Sequence, residues 1–363
     1  MKRRLKRKEQ PAFSDSPPTV RPSKDAGASA SQLVRSQIEM LARAEGYFDS
    51  SVLFGLLRLN VFERLGNESK SLLELASELD AEPERLARFL RAGVALKFLV
   101  SNNGSHFRVS PACRAVLLPG SEGYLGDWIR FLDSLHGALF KLDEAVLSRR
   151  GRLDATRQLL EEGERAELFT RAMHDYAKVR GKELADFLDL TSCRSLLDLG
   201  CGPGTYAFSL GLRNPRLRLY LLDLPPVLEV AKEVGRSYAI ENRVDYLPLD
   251  VEKEEIPGSY DVILVSNTLH MLGEETSRKL IRRLYQSVNP GGSLVIQAQF
   301  LENRGTGGRW PVILDLLMLC LTREGRNHTV DETRRWLEEA GFRDIEFCPM
   351  SLLNTNSYLR GFR

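Results

Sequence analysis

From Ser195 onward the chain alternates short apolar runs with amphipathic stretches. SLLDL, RLRLYLLD, VDYLPLD, YDVILVS and SLVIQAQFL read as strands, and segments starting at Thr205, Pro226, Glu274 and Val330 read as helices; a closing pair of strands lies near DIEFCPM and NSYLRGF. Leu196, Leu197 and Leu199 crowd apolar side chains onto both faces, as a strand covered on both sides requires. The alternation predicts a mainly parallel, seven-stranded α/β sheet of Rossmann-like type with helices on both faces. The helix at Val330 carries its own boundary signals, because Thr329 and Glu332 have capping-box spacing and Gly341 suits a left-handed stop.

The first half follows a different pattern. Between Gln32 and Leu65, residues such as Leu33, Ile38, Leu41, Val52, Leu56 and Leu57 recur at helical spacing on more than one face, which predicts helices buried on several sides. A helix over Leu72 to Leu79, a break at Asp80 to Glu82, a helix over Pro83 to Leu99 and the turn-centred VSNNGSHFRVS have the form of a winged helix, expected as an otherwise all-helical module. Residues 121–190 read as several helices, including Leu125 to Leu147 and a linker helix from Ala166 to Leu188. The expected organisation is a tail (1–31), a winged-helix-like module for dimerisation (32–120), a helical linker contributing to a pocket (121–190) and the α/β domain (191–363).

Composition narrows the function classes. The formal charge of +2 hides a first decapeptide with six Lys/Arg against one Glu, so the rest is mildly acidic. Residues 9–31 are rich in Pro, Ser and Ala, which with the basic run predicts a disordered terminus. The winged-helix pattern and basic tail also allow a DNA-binding regulator, but Glu82, Glu84, Ala87, Ala92 and Ala95 beside Arg85, Arg88 and Arg91 make Pro83 to Leu99 a poor reader of phosphates and bases. No run of about 18 apolar residues predicts a membrane span, and the basic start is not followed by a leader's apolar stretch. The 5 cysteines form no CxxC pair and have no histidine at ligand spacing, so neither a disulfide framework nor a metal site is expected and a cytoplasmic location is.

The chemistry concentrates in SLLDLGCGPGTY, a strand running into a glycine loop that opens a helix. Gly200, Gly202 and Gly204 let the backbone turn and approach a ligand without Cβ clashes. A nicotinamide fingerprint would carry glycine at the sixth position, where this chain has Thr205; Pro203 stiffens the loop and Asp198 precedes it. These departures favour S-adenosylmethionine as cofactor. Asp223, ending the next strand, is expected to take the ribose hydroxyls, with Leu224 beside it. Asp250 and Val251, after the third strand, are expected at the adenine, although Asp250 could instead cap the turn at Glu252 to Glu255. Ser266 and Asn267 complete the cofactor set from the fourth strand. His270 follows in VSNTLHML, where an imidazole titrating close to pH 7 could take a proton from an acceptor hydroxyl, although a histidine satisfied by backbone in a strand-to-helix turn is the alternative.

Over nine-tenths of its length the chain resembles the dimeric small-molecule O-methyltransferases, the group containing the acetylserotonin, caffeic acid and many bacterial polyketide and pigment O-methyltransferases. The resemblance rests on the winged-helix region, FTRAMHDY as a pocket-lining segment, LLDLGCGPGTY as the cofactor loop, LHMLGEE around the base, and ILDLLMLCLTREGRNHT through WLEEAGF. It implies a homodimer formed through the N-terminal domain and His270 as the base. Two acids that steer the base in plant-type members are absent: Ala298, or Gln299 if the register slips by one, occupies the first place and Asn327 the second. Met271 and Leu272 replace the family's Asp-Trp.

The reading that follows is an S-adenosylmethionine-dependent O-methyltransferase acting on an apolar or aromatic hydroxyl compound of secondary metabolism. Met173, Trp310, Leu314, Met318 and Asn327 are the candidate acceptor-binding residues, and the apolar ones could equally be helix-packing core. The missing acids keep open a non-methylating chemistry, decarboxylation or hydroxylation, on the same fold and cofactor.

Overall fold

The computed structural model describes residues 24–148, 163–302, 308–350 and 356–363. The chain divides into Met1–Ser51 and Val52–Arg363. Helix α1 (Lys24–Arg58) supplies the described part of the first unit. It begins inside the stretch 1–31 expected to be a tail, and Leu33, Ile38, Met40 and Leu41 are exposed along it.

In the second unit the winged module comprises α2 (Val61–Leu65), β1 (Lys70–Ser71), α3 (Leu72–Glu78), α4 (Pro83–Ala95), β2 (Leu99–Val100), β3 (His106–Val109) and α5 (Pro111–Leu117). The expectation of an all-helical module is corrected in one respect, because the wing pairs its short strands in the order β1-β3-β2. Leu56, Phe62, Leu75, Leu90, Leu99 and Phe107 form its core. Ser71 and Glu74 close a capping box on α3, and the Glu82 carboxylate caps α4. An acidic N-cap there disfavours phosphate.

The segment expected as helix over Leu125 to Leu147 is broken into α6 (Gly126–Ser134), α7 (His136–Leu139) and α8 (Leu142–Leu147), with α9 (Gly163–Phe187) following. Arg130 fastens α6 to the winged module, its guanidinium reaching Glu63 at 2.6 Å, Asp127 at 3.2 Å and the Tyr124 hydroxyl at 2.9 Å. The Asp127 amide donates to the buried Asp175 carboxylate of α9 at 3.0 Å.

The α/β part runs β4 (Ser195–Leu199), α10 (Thr205–Arg213), β5 (Arg218–Asp223), α11 (Pro225–Arg236), β6 (Val244–Pro248), β7 (Tyr260–Ser266), α12 (Glu274–Ser287), β8 (Val288–Ala298), α13 (Arg309–Leu321), α14 (Val330–Ala340), β9 (Arg343–Pro349) and β10 (Ser357–Phe362). The sheet order is β6-β5-β4-β7-β8-β10-β9, parallel except that β10 is antiparallel to both neighbours. Strand alternation divides the core. Leu196, Leu219, Leu221, Val262 and Leu264 pack with Leu184 and Phe208 on one face. Leu197, Leu199, Ile263 and Val265 pack with Ile281, Leu284 and Leu337 on the other. From β4 the chain first builds outward through β5 and β6, then returns to β7 on the opposite side. The resulting switch point lies at the carboxyl ends of β4 and β7, where open sheets of this kind form a crevice.

Candidate active site

The crevice is a cavity of about 290 Å³ whose wall combines strand ends, the glycine loop and helices α6, α9 and α13. A wider depression of about 460 Å³ on the outer side of α14 is lined by Thr329, Asp331, Glu332, Arg334 and Arg335 and has no connection with the strand ends.

Gly200, Gly202 and Gly204 all have positive φ, at 66°, 52° and 72°. They do different work. A Cβ on Gly202 would meet nothing within 4 Å and would project into open space. A Cβ on Gly204 would come within 2.5 Å of Leu221 and 2.7 Å of Phe208, so this glycine allows close helix-to-sheet packing, and it does not line the cavity. The Asp223 carboxylate accepts the Gly202 amide at 2.8 Å and the Leu224 amide at 2.7 Å. Burial outweighs these two bonds and pushes the carboxyl up to about 6.

Asp198 lies behind the loop and does not line the cavity. Its side chain is buried, and neither oxygen meets a donor at hydrogen-bond geometry, the Ala207 amide lending only weak stabilisation. Burial and the neighbouring Asp223 carboxylate push its carboxyl up to about 7. A buried, unpaired carboxylate is costly, and a cationic ligand nearby would offset that cost.

Of the other expected cofactor residues, Leu224, Asp250, Val251, Ser266 and Asn267 all line the cavity. Asp250 also fulfils the alternative reading. Its Oδ1 accepts the Glu252 amide at 3.1 Å, its carboxylate pairs with Lys253 at 2.9 Å, and its carbonyl accepts the Lys253 and Glu254 amides. Ser266 donates to the Gln297 amide oxygen at 2.7 Å, and Asn267 adopts φ 52° with its Oδ1 buried and unbonded.

His270 lines the cavity from a 3-10 turn, Leu269–Met271. Its Nδ1 is buried without a partner. Burial, with His328 alongside, drives the imidazole down to about 4, so the ring is neutral around pH 7. His328 itself bonds the Leu269 carbonyl at 3.1 Å. His174, also driven down to about 4 by burial and by Lys178 and Arg171, has its Nδ1 2.8 Å from the Thr205 hydroxyl and ties α9 to α10.

Met173, Trp310, Leu314 and Met318 line the cavity. Asn327 is a correction: it stands outside the wall, because its side-chain amide donates to the Pro311 carbonyl at 2.6 Å and its backbone amide to Asp315 at 2.8 Å. On β8 the alternative register is the one observed, with Gln299 rather than Ala298 at the cavity. Gln297 sits opposite Ser266 and Gln299 reaches the cavity, so two amides occupy the neighbourhood assigned to the first acid. Trp128 and Phe131 are wall residues that no quoted motif singled out, whereas Tyr176 ends the expected pocket segment FTRAMHDY and Tyr206 ends the expected cofactor loop. A signal existed for some of them: Trp128 and Phe131 lie three apart, and Phe169, Met173 and Tyr176 recur at four and three, one helical face each.

The crevice sets a glycine loop, the Asp223 carboxylate and a neutral histidine beside an apolar wall, on a fold of the Rossmann-like methyltransferase type. Residues 154–343 match the family model for the O-methyltransferase domain, and residues 41–118 match that for the O-methyltransferase dimerisation domain. The chain belongs to the O-methyltransferase family. Among similar proteins, the tetracenomycin polyketide synthesis 8-O-methyl transferase of Streptomyces glaucescens is 28% identical over 322 residues, covering 88% of this chain and 95% of that protein. The acetylserotonin O-methyltransferase of Bos taurus is 27% identical, covering 83% and 91%. The crystal structure of human N-acetylserotonin methyltransferase in complex with SAM superposes with a TM-score of 0.82 at 21% identity, over 90% of this chain and 97% of that one.

Proposed function

We propose that the protein is an S-adenosylmethionine-dependent enzyme that methylates a hydroxyl group on an apolar, aromatic acceptor of secondary metabolism. The observation that carries this reading is the junction of two unlike walls in one cavity: loop and acids on one side, and Trp128, Phe131, Phe169, Met173, Trp310 and Leu314 on the other. The glycine cradle and the unpaired Asp198 carboxylate fit a cofactor that brings an adenosine and positive charge. The polyketide and acetylserotonin relatives support the aromatic acceptor class.

S-adenosylmethionine, when bound, supplies a methyl group on a sulfonium centre, which leaves as the thioether while the new oxygen–carbon bond forms. The chain holds and orients. Gly202 admits the cofactor against the backbone, Asp223 takes the ribose hydroxyls with its loop-facing lone pairs already used, and Val251 with Asp250 borders the adenine. The apolar wall excludes water and fixes the acceptor ring, so that positioning supplies much of the acceleration. His270 takes the hydroxyl proton, its neutral ring being available at pH 7. Without a carboxylate on Nδ1 it is a weaker base than a paired histidine.

The first domain is proposed to form the homodimer through the exposed apolar face of α1 and the dimerisation module. Among the described residues no helix is long and apolar enough to cross a membrane. All 5 cysteines are unpaired, which supports a reducing, cytoplasmic setting. Neither non-methylating chemistry nor DNA binding gains support from the family match. Calorimetry with S-adenosylmethionine and S-adenosylhomocysteine, followed by methyl-label transfer to phenolic acceptors, tests the reading. Failure of both ligands to bind at millimolar concentration overturns it.

A further inference from the structure

One polar pair in the cavity wall is used neither by the fold nor by the proposed methyl transfer. Gln299 follows the last residue of β8, is 4% exposed, and donates its Nε2 to the Tyr176 hydroxyl at 2.8 Å. Its Oε1 is buried with no donor in reach among the described residues, although both side chains line the cavity. Tyr176 is held in place by its ring, 4.8 Å from that of Trp128 on one side and 3.6 Å from the Arg180 guanidinium carbon on the other.

Such an oxygen in an apolar wall is a standing defect unless something occupies it. His270 does not, since its Nδ1 is also unpartnered and the two are therefore not bonded to one another. The neighbouring wall residues Trp128, Phe131, Phe169 and Met173 line the same cavity. Of these only the Trp128 indole carries a hydrogen-bond donor, and it makes no bond to Gln299. The pair thus offers a carbonyl acceptor on Gln299 beside an O–H donor on Tyr176, whose oxygen already accepts from the amide. A hydroxyl group, donor and acceptor at once, satisfies both. It does so even if the amide turns by half a rotation.

We propose that Gln299 and Tyr176 form a polar subsite for a second hydroxyl group of the acceptor, distinct from the one methylated, so that the preferred acceptors are polyhydroxylated aromatics. The inference rests on the reading of this cavity as the acceptor site. A single hydroxyl bound beside His270 leaves the subsite empty; a second one anchors the ring and fixes which oxygen faces the methyl group.

The test uses 1-naphthol and 2-naphthol against a panel of dihydroxynaphthalene isomers. Binding is measured by calorimetry on the full-length enzyme loaded with S-adenosylhomocysteine, and methylation by label transfer. At least one diol should bind about tenfold or more tighter than either naphthol. Gln299→Leu and the nearly isosteric Tyr176→Phe should each reduce that preference to within about threefold, through KM more than kcat, while S-adenosylhomocysteine affinity is unchanged. Naphthols and diols binding alike, no measurable binding of any, or variants that keep the preference would overturn the proposal. A diol preference in binding without methyl transfer sustains the subsite and counts against O-methylation; methyl transfer without a preference does the reverse.

Discussion

The Asp223 carboxylate and the Gly202 amide are joined at 2.8 Å, so the acid that ends β5 braces the loop that ends β4. One side chain thereby braces the loop and lines the cavity. Asp223→Ala removes the brace and the proposed ribose acceptor together. Loss of charge-assisted bonds of this kind costs about 1.5–3 kcal/mol each, so affinity for S-adenosylhomocysteine should fall by about 30-fold or more. Calorimetry reads this directly, and an affinity within about threefold of the wild type would remove Asp223 from the cofactor site.

Two of the three loop glycines, Gly202 and Gly204, should separate stability from binding. Gly204→Ala brings a Cβ to 2.5 Å from Leu221 in a backbone at φ 72°, so it should lower stability by about 1–3 kcal/mol. Gly202→Ala meets nothing within 4 Å, and its penalty should be confined to φ 52° and to the space the cofactor needs. Thermal melts of both apo variants, with cofactor titrations, check the pair. Equal melting temperatures, or a Gly202 variant that binds cofactor normally, would contradict this division.

Much of this arrangement was legible in the chain because it is written in short-range patterns. The β4-loop-α10 junction, Asp223 at a strand end and the Thr329–Glu332 capping box with Gly341 at φ 109° depend on neighbours within a few residues. What was not legible depends on tertiary partners. Asn327 turns toward Pro311, sixteen residues away, and leaves the cavity wall. The choice between Ala298 and Gln299, which the sequence leaves open, is set by pairing with β7 and β10, since a one-residue slip exchanges the two faces. The breaks after α6 and α7 carry no strong stop signal in the sequence; Gly137 is the one weak indication.

Cofactor affinity should rise with pH across the neutral range. Asp198, pushed up to about 7 by burial and by Asp223, and Asp223, pushed up to about 6 by burial, hold protons in the free protein that the unfolded chain has already released. The native state therefore binds more protons than the unfolded chain between about pH 4 and 7, and stability without ligand falls as pH rises through that window. A cationic cofactor favours the ionised carboxylates and should release protons on binding. Titrations from pH 5.5 to 8, in buffers of different ionisation enthalpy, should show this release, and Asp198→Asn should diminish it. Affinity independent of pH would mean that the cofactor's charge does not shift the ionisation of these acids.

His270 provides the sharpest test of the chemistry, because burial and His328 drive its imidazole down to about 4 and no carboxylate bonds its Nδ1. The ring is then neutral throughout the working range, so kcat should lack an acid limb near pH 6.5, the value of a free histidine, and begin to fall only below about pH 5. Unfolding must be monitored alongside: the unfolded chain takes a proton below 6.5 that the native ring refuses, so stability also declines as pH falls toward 4. His270→Ala should leave S-adenosylhomocysteine affinity nearly unchanged and lower kcat by about 10²-fold near pH 7 on a phenolic acceptor. The deficit should shrink at high pH, where the acceptor ionises unaided. A variant that keeps most of its activity at pH 7 would show that His270 takes no proton, and that the site works by holding acceptor and methyl donor in line.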